Sequence, residues 1–422
     1  MTRQVRVLSA VTSFLDRCGK RLDRRRIAAG CATLLAIEIA AFAFFAAGTH
    51  GLVLPLVKPT STDFVSFYAA GTLANAGTPE LVYDRATHFA AEQQAAAPGI
   101  RYNYFYYPPI FVLLCAILAR LPYLAAFVLF EAGGLALFLW AMVGILGERR
   151  WTALLPVLAF PAMLWNIGLG QNAFVTAALF GAATLLIDRR PALAGALFGA
   201  LCYKPPFGLL IPVALAAAGR WRAFAAAAAS LAALVLLSLA WFGPATWDAF
   251  FRAARDAGPV YEGGVKLAGY VTPFGAVRVL GGPPALAYAV QGLTSLAAIA
   301  GVWFVWARGV SLPVRAAALC AATLVATPFI MWYDLVLASV AAAWLYAGGK
   351  LAPADSLVLA VLSLLTLDPP GAGKALHLPI GALCAMLFVA LVARIAWREA
   401  ARRAGRAEIG GRFGTAMPAA PD

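Results

Sequence analysis

Apolar runs at 27–47, 123–146, 223–243, 284–306 and 376–396 are almost free of charge. Each approaches or exceeds the roughly 20 residues a helix needs to cross about 30 Å of hydrocarbon. Shorter apolar runs at 108–121, 192–203 and 206–218 lie between them, separated by basic or proline-bearing junctions. This pattern predicts an all-α polytopic membrane protein, a bundle of about 12 transmembrane helices.

The junctions predict topology. Lys and Arg mark the cytoplasmic ends of spans. Arg308, Lys350, RWR (220–222), DRRP (188–191) and GERR (147–150) are therefore read as cytoplasmic. LGQN (169–172), YKPP (203–206), TPF (327–329), DPPGAGK (368–374) and the loop 244–283 fall on the outer side. A basic N-terminus, 1–26, and a basic tail, 398–422, frame one integral domain, 27–397, with both termini cytoplasmic. The first segment is longer than a signal-peptide core and reads as an uncleaved anchor in the inner (plasma) membrane. Alternation fails by one between 108 and 150. Either the run opened by YYPP (106–109) is re-entrant, or the reading of Arg149 and Arg150 gives way.

The outer placement of YKPP needs two short helices, about 192–203 and 206–218, meeting at Lys204. Proline removes a donor and disfavours helical geometry in the residue before it. Irregular backbone at membrane depth requires protein or a watery cavity to satisfy it, so an outward-facing cavity is expected there.

Residues 48–107, the first outer loop, are too long for a plain connection and read as functional. Phe64, Phe67, Tyr68 and Gly71 share a helical face, and a second helical stretch follows around 84–97. These are expected to be juxtamembrane helices with aromatic residues at the interface. The loop at 244–270 is similar, with Trp247, Phe250, Phe251 and Tyr261 beside Arg252, Arg255 and Lys266. The alanine run 223–229 suits close helix packing.

Composition agrees: 63% of the 422 residues are hydrophobic and 12% are charged, against about a quarter charged in a soluble domain. The net charge of +14 sits at span ends, which argues against nucleic acid as a partner and for membrane lipids. Six scattered cysteines without a C-x-x-C pair, and the isolated His50, His88 and His377, suggest neither a disulfide framework nor a zinc site. No cofactor is indicated, and a divalent ion is left open.

Asp63 has two readings. As an N-cap it would accept backbone N–H bonds for roughly 1 kcal/mol; as a general base at the cavity mouth it would take a proton from a hydroxyl. The two conflict, because capping bonds lower a carboxylate's pKa. Lys204 either snorkels to an interface or pairs with an anionic phosphate. Asp334 opens a span, as a cap or as a site group. Gln171 and Asn172 bind sugar hydroxyls or join helices. Arg85 and Arg101 are solvated or touch phosphate. Glu38 and Glu131 lie inside apolar runs with no evident partner.

Taken in order, DFVSFYAAGTLANAG (63–77), YD (83–84), YYPP (106–109), GQN (170–172), YKPPFGLLIP (203–212), RWRA and TPFIMWYDL (327–335) resemble glycosyltransferase family 87. The resemblance covers about 60–340. It implies a GT-C-like fold, a polyprenyl-phosphate-sugar donor carrying mannose or a related sugar, and a lipid or glycan acceptor. It further implies Asp63 as catalytic base and Lys204, Arg101 and Arg85 at the donor phosphate. Gln171, Asn172, Tyr107, Tyr333 and Asp334 would contact substrate. Some members carry a histidine in the late outer motif, where this chain has Tyr333 and Asp334. The absence of a G-x-x-x-x-G-K-[ST] loop agrees with a lipid-linked donor. The competing class is a transporter or lipid-carrier flippase, for which many spans and broken helices are equally expected.

Overall fold

A computed structural model of the protein describes residues 17–21, 23–54, 61–147, 151–264, 267–367 and 369–413. Residues 1–16 of the basic N-terminus, Thr60, Arg149 and Arg150 of the GERR junction, Lys266, Asp368 and the tail from 414 lie outside the described residues. Among those described the architecture is helical, with two isolated β-bridges, His50–Val53 and Tyr270–Met331.

In chain order the elements are α1 (Arg24–Ala47), α2 (Phe64–Asn75), α3 (Arg85–Ala95), α4 (Pro109–Leu118), α5 (Tyr123–Leu146), α6 (Trp151–Leu158), α7 (Pro161–Leu169), α8 (Ala173–Leu186), α9 (Pro191–Ala200) and α10 (Ile211–Ala217). Then follow α11 (Trp221–Phe242), α12 (Pro244–Asp256), α13 (Pro273–Val279), α14 (Pro284–Ala307), α15 (Leu312–Thr323), α16 (Val336–Ala347), α17 (Pro353–Leu365), α18 (Pro369–Leu376) and α19 (Ile380–Phe413). Among the described residues five helices are long and apolar enough to cross a membrane: α1, α5, α11, α14 and the 380–403 part of α19; α17 with α18 makes a sixth if that bent pair is one span. The apolar helices α4, α8, α9, α10, α15 and α16 are shorter, so the bundle mixes full-length spans with partial ones. The 10-residue α4 extends about 15 Å, half the hydrocarbon thickness, and is too short to cross on its own.

The core is organised around α8, which is buried along most of its length and packs against α5, α9 and α16. By contrast α1, α11 and α14 expose long apolar faces, including Phe44, Leu236, Leu293 and Trp303. Such faces are stable against hydrocarbon and unfavourable in water. Helices α9 and α11 meet through small residues. A β-carbon at Gly195 would lie 2.1 Å from the carbonyl oxygen of Ala223, the close approach that the alanine run permits.

Direct contacts join the junctions that the basic pattern assigns to one side. Asp188 pairs with Arg220, Glu399 binds Lys350 at 2.9 Å and accepts from the Ser311 N–H at 2.7 Å, and Arg403 donates to the Gly309 carbonyl. The interface expectation for the first outer helix changes. Phe64 and Phe67 are fully buried, because α2 docks on α4, α3 and Pro79–Tyr83 and turns its aromatic face into the protein. Phe67 packs edge-on against Phe111, Tyr107 and Phe130.

Candidate functional site

The GQN turn connects α7 to α8. Gly170 takes the left-handed conformation, φ +67°, that ends a helix most readily at glycine. Its missing β-carbon also admits the outer loop, since a Cβ there would lie 2.7 Å from that of Phe64. The Asp63 N–H donates to the Leu169 carbonyl at 2.7 Å, docking the start of α2 on this turn. The Asp63 side chain makes no capping bond to α2, which removes the N-cap reading. Instead its Oδ2 accepts from Gln171 Nε2 at 3.0 Å.

From Gln171 a chain of hydrogen bonds runs into the protein. Gln171 Oε1 accepts from the Tyr107 hydroxyl at 3.4 Å, and that hydroxyl accepts from Asn172 Nδ2 at 2.8 Å. Asn172 Oδ1 accepts from the Lys204 ammonium at 3.1 Å. Every donor points the same way, from the ammonium at one end to the Asp63 carboxylate at the other. Aligned chains of this kind polarise one another.

Lys204 occupies the break between α9 and α10, with non-helical φ −131° ahead of Pro205. Single 3₁₀ turns, Leu201–Tyr203 and Pro205–Phe207, flank it. Its ammonium is buried, 2.6 Å from Asp334 Oδ1, and lies over the rings of Phe207 and Tyr333 at 4.9 and 5.2 Å. Asp334 sits in the 3₁₀ turn Trp332–Leu335 that leads into α16, and its Oδ2 accepts from the Met331 N–H at 3.3 Å. It is therefore both the cap and the ion-pair partner. Asp63, Tyr107, Gln171, Asn172, Lys204 and Asp334 converge on one connected network, with Tyr333 against its cationic end.

Arg85 and Arg101 stand apart from it. Both are exposed; Arg85 stacks over Tyr102 and Tyr104 at 5.3 and 5.6 Å.

Further polar groups support the network and went unread in the sequence. Tyr203 donates to the Asn172 carbonyl at 3.2 Å and meets Thr176 at 2.5 Å. Glu131 Oε2 accepts from Asn166 Nδ2 at 3.1 Å, while Asn166 Oδ1 accepts from the Ala173 N–H at 2.9 Å and its carbonyl from the Gln171 N–H at 3.0 Å. The intramembrane Glu131 thus braces the GQN turn. On α3, His88 and Glu92 are fully buried with Nε2 and Oε1 3.6 Å apart, a pair whose i, i+4 spacing was the available signal. Glu92 Oε2 accepts from the Asn103 N–H at 3.0 Å, and Asn103 Nδ2 donates to Ser61 at 3.1 Å. This links the segment carrying Tyr107 to the one carrying Asp63. Burial raises the Glu92 carboxyl above the ordinary range, opposed by the bonds and charge from His88 and Asn103. Among the described residues no group of three or more His, Cys, Asp or Glu could hold a metal ion.

A helical membrane protein with a buried lysine–aspartate pair wired to a half-buried aspartate has the makings of a membrane-embedded group-transfer site. Residues 105–331 match the model of glycosyltransferase family 87. That match covers more than half of the chain, and the protein belongs to this family of glycosyltransferases, which act on a sugar donor and an acceptor. The matched stretch contains Tyr107, Gln171, Asn172 and Lys204; Asp63 precedes it and Asp334 follows it. No curated protein and no solved structure matches the chain.

Proposed function

We propose that the protein transfers mannose or a related sugar from a polyprenyl-phosphate donor to a lipid or glycan acceptor at the outer, periplasmic face of the inner membrane. The observation that carries this reading is the unbroken hydrogen-bonded path from Asp63 to the Lys204–Asp334 pair. Asp63 is the general base: it takes the proton of an acceptor hydroxyl as that oxygen bonds to the anomeric carbon. The bond from that carbon to the phosphate oxygen breaks at the same time, and the phosphate departs with the electron pair. A single displacement inverts the anomeric centre. The phosphate is a stable anion and needs little general-acid help; what it needs is positive charge nearby. Lys204 commits two of its three N–H donors to Asp334 and Asn172, and in this reading the third faces the phosphate.

The test compares sugar transfer by purified wild type and Asp63→Asn, supplied with polyprenyl-phosphate sugars and membrane extract as acceptor. The expected loss is about 10²- to 10⁴-fold, the usual worth of a general base, with an unchanged melting temperature. Equal transfer by both proteins removes Asp63 from the chemistry.

A further inference from the structure

Segment 101–108, between α3 and α4, forms neither helix nor strand, and its alternate residues keep to different sets of neighbours. One side is spoken for: Asn103 is tied to Glu92 and Ser61, Phe105 is buried and Tyr107 enters the hydrogen-bond chain. The other side carries Tyr102, Tyr104 and Tyr106, all half-exposed.

These three rings form a row that continues past the segment. Tyr102 and Tyr104 are 4.9 Å apart between centroids, and Tyr104 and Tyr106 are near-parallel at 6.0 Å and 11°. Tyr106 meets Tyr261 at 5.3 Å, and Tyr261 stacks on Phe329 at 4.3 Å. Arg85 covers the distal end. At the proximal end Tyr106 is the chain neighbour of Tyr107, whose hydroxyl lies in the hydrogen-bond chain, and Phe329 shortly precedes the turn Trp332–Leu335 that carries Asp334, so the row leads to the site. Among the described residues the side-chain hydroxyls of Tyr102, Tyr104, Tyr106 and Tyr261 make no hydrogen bond.

We infer that this row is the platform on which the sugar rings of a glycan acceptor lie, ahead of the acceptor hydroxyl that reaches Asp63. The inference rests on the glycosyltransferase reading and narrows its acceptor class. A pyranose presents apolar C–H faces and a rim of hydroxyls. Half-exposed aromatic faces edged with unused phenol donors match both, as in small-molecule sites where aromatic walls carry a few placed polar groups. A lipid tail would instead need an aliphatic lining such as the exposed leucines of α11 and α14. The cation over Tyr102 and Tyr104 would suit a polar chain and oppose a hydrocarbon one.

The experiment probes full-length protein in detergent, without donor, on an array of neutral oligosaccharides from mono- to hexasaccharides of several hexoses and pentoses. Wild type is expected to bind at least one series more tightly as the chain lengthens. Tyr104→Ala/Tyr106→Ala is expected to weaken that binding about tenfold or more, while Tyr104→Phe/Tyr106→Phe keeps most of it and shows that the fold survives. The array reads binding without donor or transfer, and the base assignment is read by transfer alone, so failure of the one and failure of the other are separately visible. Wild type that binds no series, or a double alanine variant that binds equally well, overturns the inference. So does quenching by brominated lipids of the emission that Tyr104→Trp adds to the wild-type signal, which would put the row against the bilayer.

Discussion

The two ends of the hydrogen-bond chain carry the same side chain in opposite circumstances. Asp334 is buried, capped onto a backbone N–H and locked to an ammonium at 2.6 Å. Asp63 is half-buried at the junction of the outer loop with the GQN turn, where the Gln171 amide donates to its Oδ2. A carboxylate neutralised by a buried cation is poorly suited to taking up a proton. One that sits half-buried at the loop junction is within reach of an acceptor hydroxyl, the role proposed for Asp63. The comparison separates a group that builds the site from the group proposed to react in it.

The sharpest way to break this contrast is Asp334→Ala. Stranding the Lys204 ammonium should cost about 3–5 kcal/mol, seen as a large fall in melting temperature in detergent. Lys204→Met combined with Asp334→Leu should regain most of it, since apolar replacement of a buried pair is commonly neutral. If the single variant melts like wild type, the pair is not structural and the two ends are alike. Tyr107→Phe cuts the chain midway and leaves the Asn172 amide and the Gln171 oxygen each short of a partner. The expected cost is about 1–3 kcal/mol, with transfer falling while Asp63 remains in place. A variant that transfers normally would mean that the ends work independently.

Smaller effects sharpen the Asp63 end. Because burial raises the Glu92 carboxyl, the protonated form is favoured by folding. Its contribution is complete below the ordinary carboxylate range and is lost as pH rises through the elevated value. The groups facing it are His88, the Asn103 N–H, Asp63, Tyr102 and Tyr123. Glu92→Gln keeps the acceptor for Asn103, so it should flatten the decline of melting temperature with rising pH while changing stability little at low pH. An unchanged slope would mean another group titrates. Arg101→Ala, at an exposed position outside the network, should stay within about 0.5 kcal/mol of wild type in stability and transfer sugar at the wild-type rate.

Much of this was legible along the chain. The break at Lys204 follows from a lysine before two prolines, and the structure places short helices on both sides of it. The LGQN, YKPP and late outer junctions, assigned to one side by charge alternation, meet in one network. The span count was less legible: apolar runs are read by length, whereas short helices such as α8 and α16 are apolar because they are buried in protein. Aromatic residues on α2 carried the same ambiguity, since a ring suits a lipid interface and a protein core equally. The roles of Glu131, Asn166 and Tyr203 could not be read because their side-chain partners are distant in sequence and only packing creates the pairs, whereas the i, i+4 spacing of His88 and Glu92 was legible and passed over. Arg85 and Arg101 were placed at the donor phosphate by resemblance, and both occupy exposed positions outside the network.

At Gly170 the β-carbon of Phe64 already fills the space a side chain would need, and the adjoining backbones are bonded at 2.7 Å. This seam has no slack, so it works as a caliper. Enlarging position 170 by one methyl group would part the outer helix from the turn without altering any reactive atom. The spacing between outer helix and turn is gauged here by main chain rather than by charge.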